Sequence, residues 1–380
     1  MAQNLEFDPA VLFQYAAESF HAGNYESALG KLERVLSAEP DHYEAWCCKA
    51  ACLASTKRYE ESIVCFDRAI ALKADYQLAW IFKGATLFEM DRWGEAVPVL
   101  DRAIALRQDD VKAWQTKGNC LVQLEKLQEA IYCYDRALEF APDSVFAYAN
   151  RGNALTQMKR YKAALKSYDK AISVEPDNAD VWFNKGCVYM VTDSDEEALE
   201  HFNRAMLLRP NYTAPMLNRG TVLAKQGKVQ EALDNYEELL KIDPQDTHAW
   251  NNRGLCLRRL GRVKDAIASY DKAVECDPTN YEAWDNQGYA YATINKYKEA
   301  LASIDRSLAI KPDHANGIYN KGYCYGKQGK IPLAVDYISQ AISLNPERYL
   351  EAAKTDPDLD FIRKNKRFQA LLEKFDKPQP

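Results

Sequence analysis

A glycine that recurs every 34 residues is the feature that most constrains how this chain of 380 residues can fold. The series is Gly84, Gly118, Gly152, Gly186, Gly220, Gly254, Gly288 and Gly322. A large apolar residue, Trp in most copies, stands four positions before the glycine, and an alanine stands twelve positions after it. A fixed period of this length is typical of repeat proteins, in which each unit buries its apolar face against its neighbours.

Ten units of 34 residues fit the sequence without an insertion. Their predicted boundaries are 9–42, 43–76, 77–110, 111–144, 145–178, 179–212, 213–246, 247–280, 281–314 and 315–348. The first unit carries Ala16 in place of the glycine, as expected of a terminal unit that has a single neighbour. Residues 1–8 form an N-terminal lead, and residues 349–380 follow the last unit.

The apolar spacing within a unit predicts two helices. Trp114, Gly118 and Leu121 fall at positions i, i+4 and i+7 of one helical stripe, and Ala130 and Tyr134 begin a second stripe. Residues that tolerate turns separate the two helices, namely Gly23, Asp91, Gly227, Gly261, Asn295 and Gly329. Because glycine and alanine lack bulk, we expect the two helices to approach closely at Gly118 and Ala130.

This combination of glycine, alanine, a large aromatic residue and a closing proline resembles the tetratricopeptide repeat family, over residues 9–348. The resemblance implies an all-α fold, a right-handed α-solenoid superhelix of ten helix-turn-helix repeats with a concave groove lined by the first helix of each repeat. In the segment 349–380, one helical stripe is formed by Phe368, Leu371, Leu372 and Phe375. We expect a capping helix there, covering the open end of the last repeat.

The sequence offers no catalytic or metal-binding constellation. Its five histidines form no pair with metal-ligand spacing, and neither a phosphate-binding loop nor a nucleophile elbow is present. One repeat position is shared by Cys52, Cys120, Cys256 and Cys324. A small residue that recurs at one position indicates packing rather than metal ligation. We therefore expect no enzyme activity, no catalytic residues, no metal and no cofactor.

Charge and hydropathy argue against several classes of partner. The net charge is −6, and a mildly acidic chain is a poor candidate for binding nucleic acid, which requires a basic stripe to neutralise phosphates. No apolar run reaches the length of about 18 residues that a membrane span needs, so no membrane insertion is expected. The first residues lack the cationic and apolar regions of a signal peptide, and we expect a cytoplasmic location.

Basic residues recur one position before the glycine, at Lys83, Lys117, Arg151, Lys185, Arg219, Arg253 and Lys321. This series suggests either a track for phosphate groups or a row of surface ion pairs. Acidic residues of the second helices recur with the same period, at Asp67, Asp101, Asp135, Asp169, Glu237, Asp271 and Asp305. The matching periods favour ion pairs.

An asparagine stands two positions before the glycine in six consecutive units. These residues, here called the asparagine ladder, are Asn150, Asn184, Asn218, Asn252, Asn286 and Asn320. An amide both donates and accepts, which suits pairing with the backbone of an extended peptide. The ladder is similar to that of the repeat region of O-linked N-acetylglucosamine transferase, where such asparagines hold substrate peptide backbone. The alternative is a hydrogen-bond ladder between neighbouring first helices, and both roles are compatible.

The predicted groove changes character along the chain. Its N-terminal part presents apolar residues, among them Phe13, Ile81, Phe82 and Phe88. An exposed apolar surface of this kind marks a contact site, unless curvature or a second copy of the chain covers it. Its C-terminal part presents Arg258, Arg259, Tyr289, Tyr319 and Tyr323, which are residue types typical of interface hot spots.

We therefore predict a non-catalytic interaction scaffold that binds an extended segment of a protein partner in the groove. No three consecutive units carry the Lys, Asn and Arg set of the two-carboxylate clamp for chaperone tails, so that ligand is disfavoured. The alternative function is a self-associating assembly scaffold, or an adaptor subunit of an enzyme encoded elsewhere, that uses its outer face or its apolar N-terminal repeats. Homo-oligomerisation is left open.

Overall fold

The computed structural model describes residues 8–376, and the predicted N-terminal lead, apart from Asp8, lies outside the described residues. All regular elements of the described residues are helices, so the all-α prediction is confirmed. The chain divides into two compact units. The N-terminal unit ends at Asp193, and the C-terminal unit begins at Ser194.

The N-terminal unit consists of α1 (Pro9–His21), α2 (Tyr25–Ala38), α3 (Tyr43–Ser55), α4 (Tyr59–Leu72), α5 (Gln77–Glu89), α6 (Trp93–Leu106), α7 (Val111–Gln123), α8 (Leu127–Phe140), α9 (Val145–Gln157), α10 (Tyr161–Val174) and α11 (Ala179–Val191). The repeat helices of the C-terminal unit are α12 (Asp195–Leu208), α13 (Thr213–Lys225), α14 (Val229–Ile242), α15 (Thr247–Arg259), α16 (Val263–Cys276), α17 (Tyr281–Thr293), α18 (Tyr297–Ile310), α19 (Ala315–Lys327) and α20 (Ile331–Leu344). First helices of 13 residues and second helices of 14 residues alternate, and we number the pairs from pair 1, which is α1 and α2.

Polar residues in the loops start the first helices. The carboxylate of Asp110 accepts the backbone N–H of Ala113 at 2.9 Å, and the carboxylate of Asp246 accepts that of Ala249 at 2.8 Å. Each cap satisfies a backbone donor that the first helical turn leaves unpaired. The recurring Trp anchors the same loops, since the indole of Trp114 donates to the carbonyl of Gln108 at 2.8 Å.

The turn inside each pair places one residue in the left-handed region of backbone conformation. The predicted turn residues all do so, with φ angles between 57° and 79°. Four further turns were not predicted; Asp193 forms one of them, and Lys57, Glu125 and Lys159, which carry no turn signature in the sequence, form the other three. A Lys or Glu adopts the left-handed conformation only at a cost of about 1 kcal/mol. Its presence at these turns therefore means that the packing of the two helices imposes the conformation.

The recurring glycine allows the two helices of a pair to touch. A Cβ atom added to Gly118 would lie 2.6 Å from the ring of Tyr134, and one added to Gly152 would lie 2.5 Å from the ring of Tyr168. Ala130 and both tyrosine side chains are buried. The expected close approach at Gly118 and Ala130 is confirmed.

Within each unit, the second helix of a pair packs against the first helix of the next pair. First helices of successive pairs also contact one another, as α3 contacts α5 and α17 contacts α19. Residues at equivalent positions of the first helices therefore lie in rows along each unit, and the candidate site is built on these rows.

The last pair is covered by α21 (Pro346–Thr355), a 3-10 turn (Pro357–Leu359), α22 (Asp360–Arg363) and α23 (Lys366–Asp376). The side chains of Phe368 and Leu371 are buried in one hydrophobic cluster with α19 and α20, and Leu372 and Phe375 pack at its edge. The predicted start of this segment at residue 349 is three residues too late, because Pro346 opens α21 and Asn345 caps it through the N–H of Arg348 at 3.1 Å. None of the described helices has the length and apolar character to cross a membrane.

Candidate functional site

The asparagine ladder lies on the first helices from α9 to α19 and is only partly accessible. The side chains from Asn150 to Asn286 are half-buried, whereas Asn320 is buried with 6% of its surface exposed. The six residues occupy the same position of consecutive first helices. Their amides therefore recur at a constant register along each unit.

In the N-terminal unit, the ladder amides bond to asparagines of the preceding pair. The side-chain amide of Asn184 donates to the side-chain oxygen Oδ1 of Asn153 at 3.1 Å, and that of Asn150 donates to Oδ1 of Asn119 at 3.4 Å. The same two oxygens accept the hydroxyls of Tyr168 and Tyr134, each at 2.7 Å. A ladder amide thus joins two neighbouring first helices and a buried tyrosine.

In the C-terminal unit, the acceptors sit at a different repeat position. Asn286 donates to the carbonyl oxygen of Asn251 at 2.9 Å, and Asn320 donates to the carboxylate of Asp285 at 2.8 Å. Asp285 is 2% exposed and also accepts the amide of Asn316 at 2.6 Å. His314, the residue that precedes α19, lies 3.2 Å from the same carboxylate, which therefore contacts two side chains of pair 10 and one from the loop before it.

These bonds establish the inter-helix ladder that the sequence offered as an alternative. They also orient the amides, because a carboxylate or carbonyl oxygen can only accept, so the amide nitrogen must face it. Among the described residues, the side-chain oxygens of Asn184 and Asn286 accept no hydrogen bond. The ladder therefore has a structural role and still presents acceptors at its open side.

Most residues of the basic series form ion pairs, whereas Arg219 donates to the side-chain oxygens of Asn203 and Asn235 at 2.9 and 2.7 Å. Lys83 pairs with Asp67 at 2.5 Å, Arg151 pairs with Asp135 at 2.6 Å and Lys321 pairs with Asp305 at 2.6 Å. The predicted ion pairing is confirmed at these positions. Pair 9 differs, since Gln287 replaces the cation and its amide donates to Asp271 at 2.7 Å.

The N-terminal unit contains a cavity of about 320 Å³ between α3 and α5, here called the N-terminal cleft. Aromatic rings and small side chains line most of this cavity. The lining residues include Phe20, Ala51, Tyr59, Phe66, Phe82, Ala85 and Glu89. Alanine stands directly after the glycine position in both helices, and this lack of bulk opens the space. Phe82 is 39% exposed and stacks on the buried ring of Phe66 with the centroids 6.5 Å apart.

The other predicted apolar residues of this region lie outside the cleft. Ile81 is 5% exposed and belongs to the hydrophobic core beside Trp114, so its expected place on an open face is wrong. Position 81 faces the next helix pair rather than solvent, which the repeat pattern alone does not distinguish. Phe88 is half-buried against α6, and the ring of Phe13 lies 4.8 Å from that of His42.

The C-terminal unit contains a cavity of about 240 Å³ between α17, α19 and α21, here called the C-terminal cleft. Its lining includes the predicted Arg258, Tyr289, Tyr319 and Tyr323 and the ladder residues Asn286 and Asn320. Tyr319 and Tyr323 border this cleft although both side chains are buried. Arg259 does not line this cleft; it lines a separate cavity with Thr221 and the ladder residue Asn252 and donates to the carbonyl of Ala224 at 2.9 Å.

The sequence analysis missed the residues that close the C-terminal cleft. Arg348, Tyr349 and Asp356 come from the capping segment, which follows no repeat pattern. The hydroxyl of Tyr319 donates to Asp356 at 3.1 Å, and the Arg348 guanidinium lies 5.3 Å from the centre of the Tyr349 ring. The acceptors Asn119 and Asn153 were also missed, although a polar residue 31 positions before a ladder residue is a usable signal.

The cysteines are free thiols, and most of them are buried. Burial raises the pKa of the Cys120 thiol to about 12 and that of the Cys133 thiol to about 11. A thiol with a raised pKa is a poor nucleophile and a poor metal ligand at neutral pH. Over residues 8–376, no group of three or more His, Cys, Asp or Glu side chains is arranged to hold a metal ion.

Comparison with protein families gives one consistent result. Models described as tetratricopeptide repeat or TPR repeat match residues 19–84, 111–144, 152–191, 179–212, 217–281, 269–302 and 315–348, which together are more than half of the chain. The search of the curated proteins finds no significant match.

Solved structures of repeat proteins are similar to this chain. A tetratricopeptide repeat protein from Parabacteroides merdae ATCC 43184 has a TM-score of 0.53 at 16% identity, over 70% of this chain and 99% of that one. YrrB, described as a TPR protein with an unusual peptide-binding site, has a TM-score of 0.42 at 28% identity, over 50% of this chain and 97% of that one. Yeast Tom70 has a TM-score of 0.47 at 13% identity, over 90% of this chain and 94% of that one. The Parabacteroides match shows a shared fold.

Proposed function

We propose that this chain, which belongs to the tetratricopeptide repeat family, is a non-catalytic interaction scaffold that binds an extended segment of a partner protein along its first helices. The fold supports a role in protein–protein interaction. The finer claim concerns the ligand, an extended peptide whose backbone pairs with the asparagine ladder.

The observation that carries this proposal is the hydrogen bonding of the ladder amides. Asn184 and Asn286 each use an amide N–H to bond the preceding helix pair, at 3.1 and 2.9 Å. That bond fixes the amide orientation, and an amide nitrogen has a second N–H beside the carbonyl oxygen. Asn184 and Asn286 therefore each offer one donor and one acceptor, which are the groups that a peptide bond requires in return.

Binding of such a peptide costs the ladder side chains little conformational entropy. The ladder side chains are half-buried and already held by their partners, so their conformational entropy is largely lost before the peptide arrives. Backbone pairing supplies affinity for any sequence, while the N-terminal and C-terminal clefts supply preference for particular side chains.

The test is a binding measurement on two matched variants of the full chain. Asn286→Ala removes the ladder amide, and Asn251→Ala removes its acceptor, so both variants lose the same 2.9 Å hydrogen bond. Only the first variant also loses the groups offered to a peptide. Asn252→Ala is added to Asn286→Ala to enlarge the effect. Random peptides displayed on phage are selected on the wild type, and their affinities for each variant are measured by fluorescence anisotropy.

We expect the double ladder variant to bind the selected peptides at least tenfold more weakly, and Asn251→Ala to stay close to wild type. Circular dichroism must show equal helicity for all three proteins. Equal affinities in wild type and ladder variant would assign the ladder a structural role alone. Partner contact would then lie on the outer helices or on the apolar N-terminal repeats, as the adaptor and self-assembly alternatives propose.

A further inference from the structure

Four buried hydrogen-bond donors in the C-terminal unit have no acceptor among residues 8–376, and two of the four are adjacent to each other. These two are the Nε–H of Arg258, which lines the C-terminal cleft, and the hydroxyl of Tyr270. The Tyr270 side chain is fully buried, and burial raises its pKa to about 12, an effect that the adjacent Arg258 guanidinium opposes. Buried donors are almost always paired in folded proteins, because an unpaired one costs free energy. Two such donors side by side require an explanation.

The repeat shows how this arrangement arises. The tyrosine equivalent to Tyr270 donates to the residue after the glycine position in earlier pairs, as Tyr168 donates to Asn153 at 2.7 Å. In pair 8 that residue is Leu255, which has no acceptor. Three positions later stands Arg258, where the equivalent residues in pairs 2 and 7 are Ala54 and Ala224. Compared with pair 5, pair 8 lacks the side-chain acceptor for its buried tyrosine and carries a cation, Arg258, three positions further along the same helix.

The charges of the cleft are suited to a negatively charged group. Its lining contains two guanidinium groups, Arg258 and Arg348, and one carboxylate, Asp356, whose oxygen accepts the hydroxyl of Tyr319. The Arg258 guanidinium lies over the ring of Tyr289 at 4.9 Å from its centre. Stacking occupies the flat face of a guanidinium and leaves the N–H groups at its edge, which match the two oxygens of a carboxylate.

We propose that the C-terminal cleft binds a carboxylate of the partner segment and that Arg258 is the group that receives it. This inference rests on the proposed peptide-binding function and adds the chemistry of one position in the ligand. The carboxylate belongs either to an Asp or Glu side chain or to the C-terminus of the partner chain. The cleft of about 240 Å³ accommodates a single side chain or chain end rather than a folded surface.

The two sources are separated by the format of the probe. Random dodecapeptides are displayed on phage either within a loop or with a free C-terminus, and each library is selected on the full-length wild-type chain. Enrichment of Asp or Glu at one position in the loop format identifies a side-chain carboxylate. Recovery from the free C-terminal format alone identifies a chain end. A selected peptide is then synthesised with its carboxylate intact, and again as the Gln, Asn or C-terminal amide form.

The variant Arg258→Gln removes the charge, and Arg262→Gln is the matched control, because Arg262 forms an ion pair with Asp265 outside the cleft. We expect the carboxylate peptide to bind Arg258→Gln at least tenfold more weakly than wild type, and Arg262→Gln within twofold of wild type. The amide form of the peptide should show a similar loss on wild type and no further loss on Arg258→Gln. Arg258→Lys, which keeps the charge, should recover part of the affinity.

Two results overturn the inference, and they differ in what they say about the proposed function. Selected peptides that bind through the ladder but show no preference for a carboxylate, or that bind Arg258→Gln as tightly as wild type, refute the carboxylate site and leave the peptide function standing. Failure of both libraries to yield any peptide that binds wild type refutes the peptide function, and the carboxylate site with it.

Discussion

The N-terminal and C-terminal clefts lie on equivalent faces of the repeat, yet they differ in chemistry at each corresponding position. The residue after the glycine position is Ala51 or Ala85 in the first cleft and Tyr289 or Tyr323 in the second. Alanines leave an open space with aromatic walls, whereas tyrosines fill it and introduce hydroxyls. The backbone is the same, so the ligand preference of each region depends on two or three side chains per repeat.

The contrast extends into the interior. Ile81 and Asp285 occupy the same repeat position, six periods apart, and both are nearly inaccessible. Ile81 packs in an apolar core, while Asp285 accepts hydrogen bonds from Asn316 and Asn320. One repeat position thus serves as core in one unit and as a polar hub in the other.

Placing at each of these two positions the residue found at the other should produce the largest loss in the free energy of unfolding. Ile81→Asp places an unpaired carboxylate in an apolar core and should lower the free energy of unfolding by about 4 kcal/mol. Asp285→Ile removes the acceptor of several buried donors and should cost about 2 kcal/mol. Guanidinium denaturation followed by circular dichroism measures both losses. A gain in stability for Asp285→Ile would contradict the role of Asp285 as a required acceptor.

Removing the hydroxyl of a buried tyrosine should have a smaller effect on stability, and the size of that effect should differ between the two units. Tyr168→Phe removes a hydroxyl that donates to Asn153 at 2.7 Å and should cost about 1 kcal/mol. Tyr270→Phe removes a hydroxyl with no partner among the described residues, so stability should be unchanged or slightly increased. The two substitutions delete the same atom, and each serves as the control for the other in thermal unfolding. Equal losses would mean that the Tyr270 hydroxyl is satisfied in solution.

The smallest expected effect concerns the missing cation of pair 9. Burial raises the pKa of Asp271, and the hydrogen bond from Gln287 only partly opposes this rise. Gln287 stands where Arg151 pairs with Asp135 in pair 5, so Asp271 has no cation at this position. A carboxyl group whose pKa is raised on folding stabilises the protein at pH below its unfolded pKa, and this contribution is lost as the pH rises through the folded value. Ionised Asp271 therefore disfavours the folded state at neutral pH.

In pair 5, Arg151 also donates to the hydroxyl of Ser167. Ser303 occupies the place equivalent to Ser167 beside Gln287, so the variant Gln287→Arg should restore the arrangement of pair 5. We expect a gain of about 0.5 kcal/mol at pH 7, since the pair is half-exposed. The gain should disappear at pH 3, where Asp271 is protonated. Melting temperatures of wild type and variant at the two pH values measure it, and a gain that does not depend on pH would exclude ion pairing as its cause.

The features of this fold that repeat can be read directly from the sequence. The 34-residue period identifies the helix pairs, the glycine and alanine positions identify the close contact within a pair, and the matched acidic and basic series identify the ion pairs. Each of these depends on contacts between residues less than one period apart, so the same local pattern gives the same structure in every copy.

Only the tertiary structure decided the features that do not repeat. Whether a first-helix residue faces a cleft or the next pair separates Phe82 from its neighbour Ile81, and the sequence pattern treats both alike. Donors meet Asp285 from residues 29 to 35 positions away, and Arg348 and Asp356 reach the C-terminal cleft from a segment outside the repeats. The physical reason is that burial and hydrogen bonding of single side chains depend on which neighbour packs beside them, and periodicity carries no information about that neighbour.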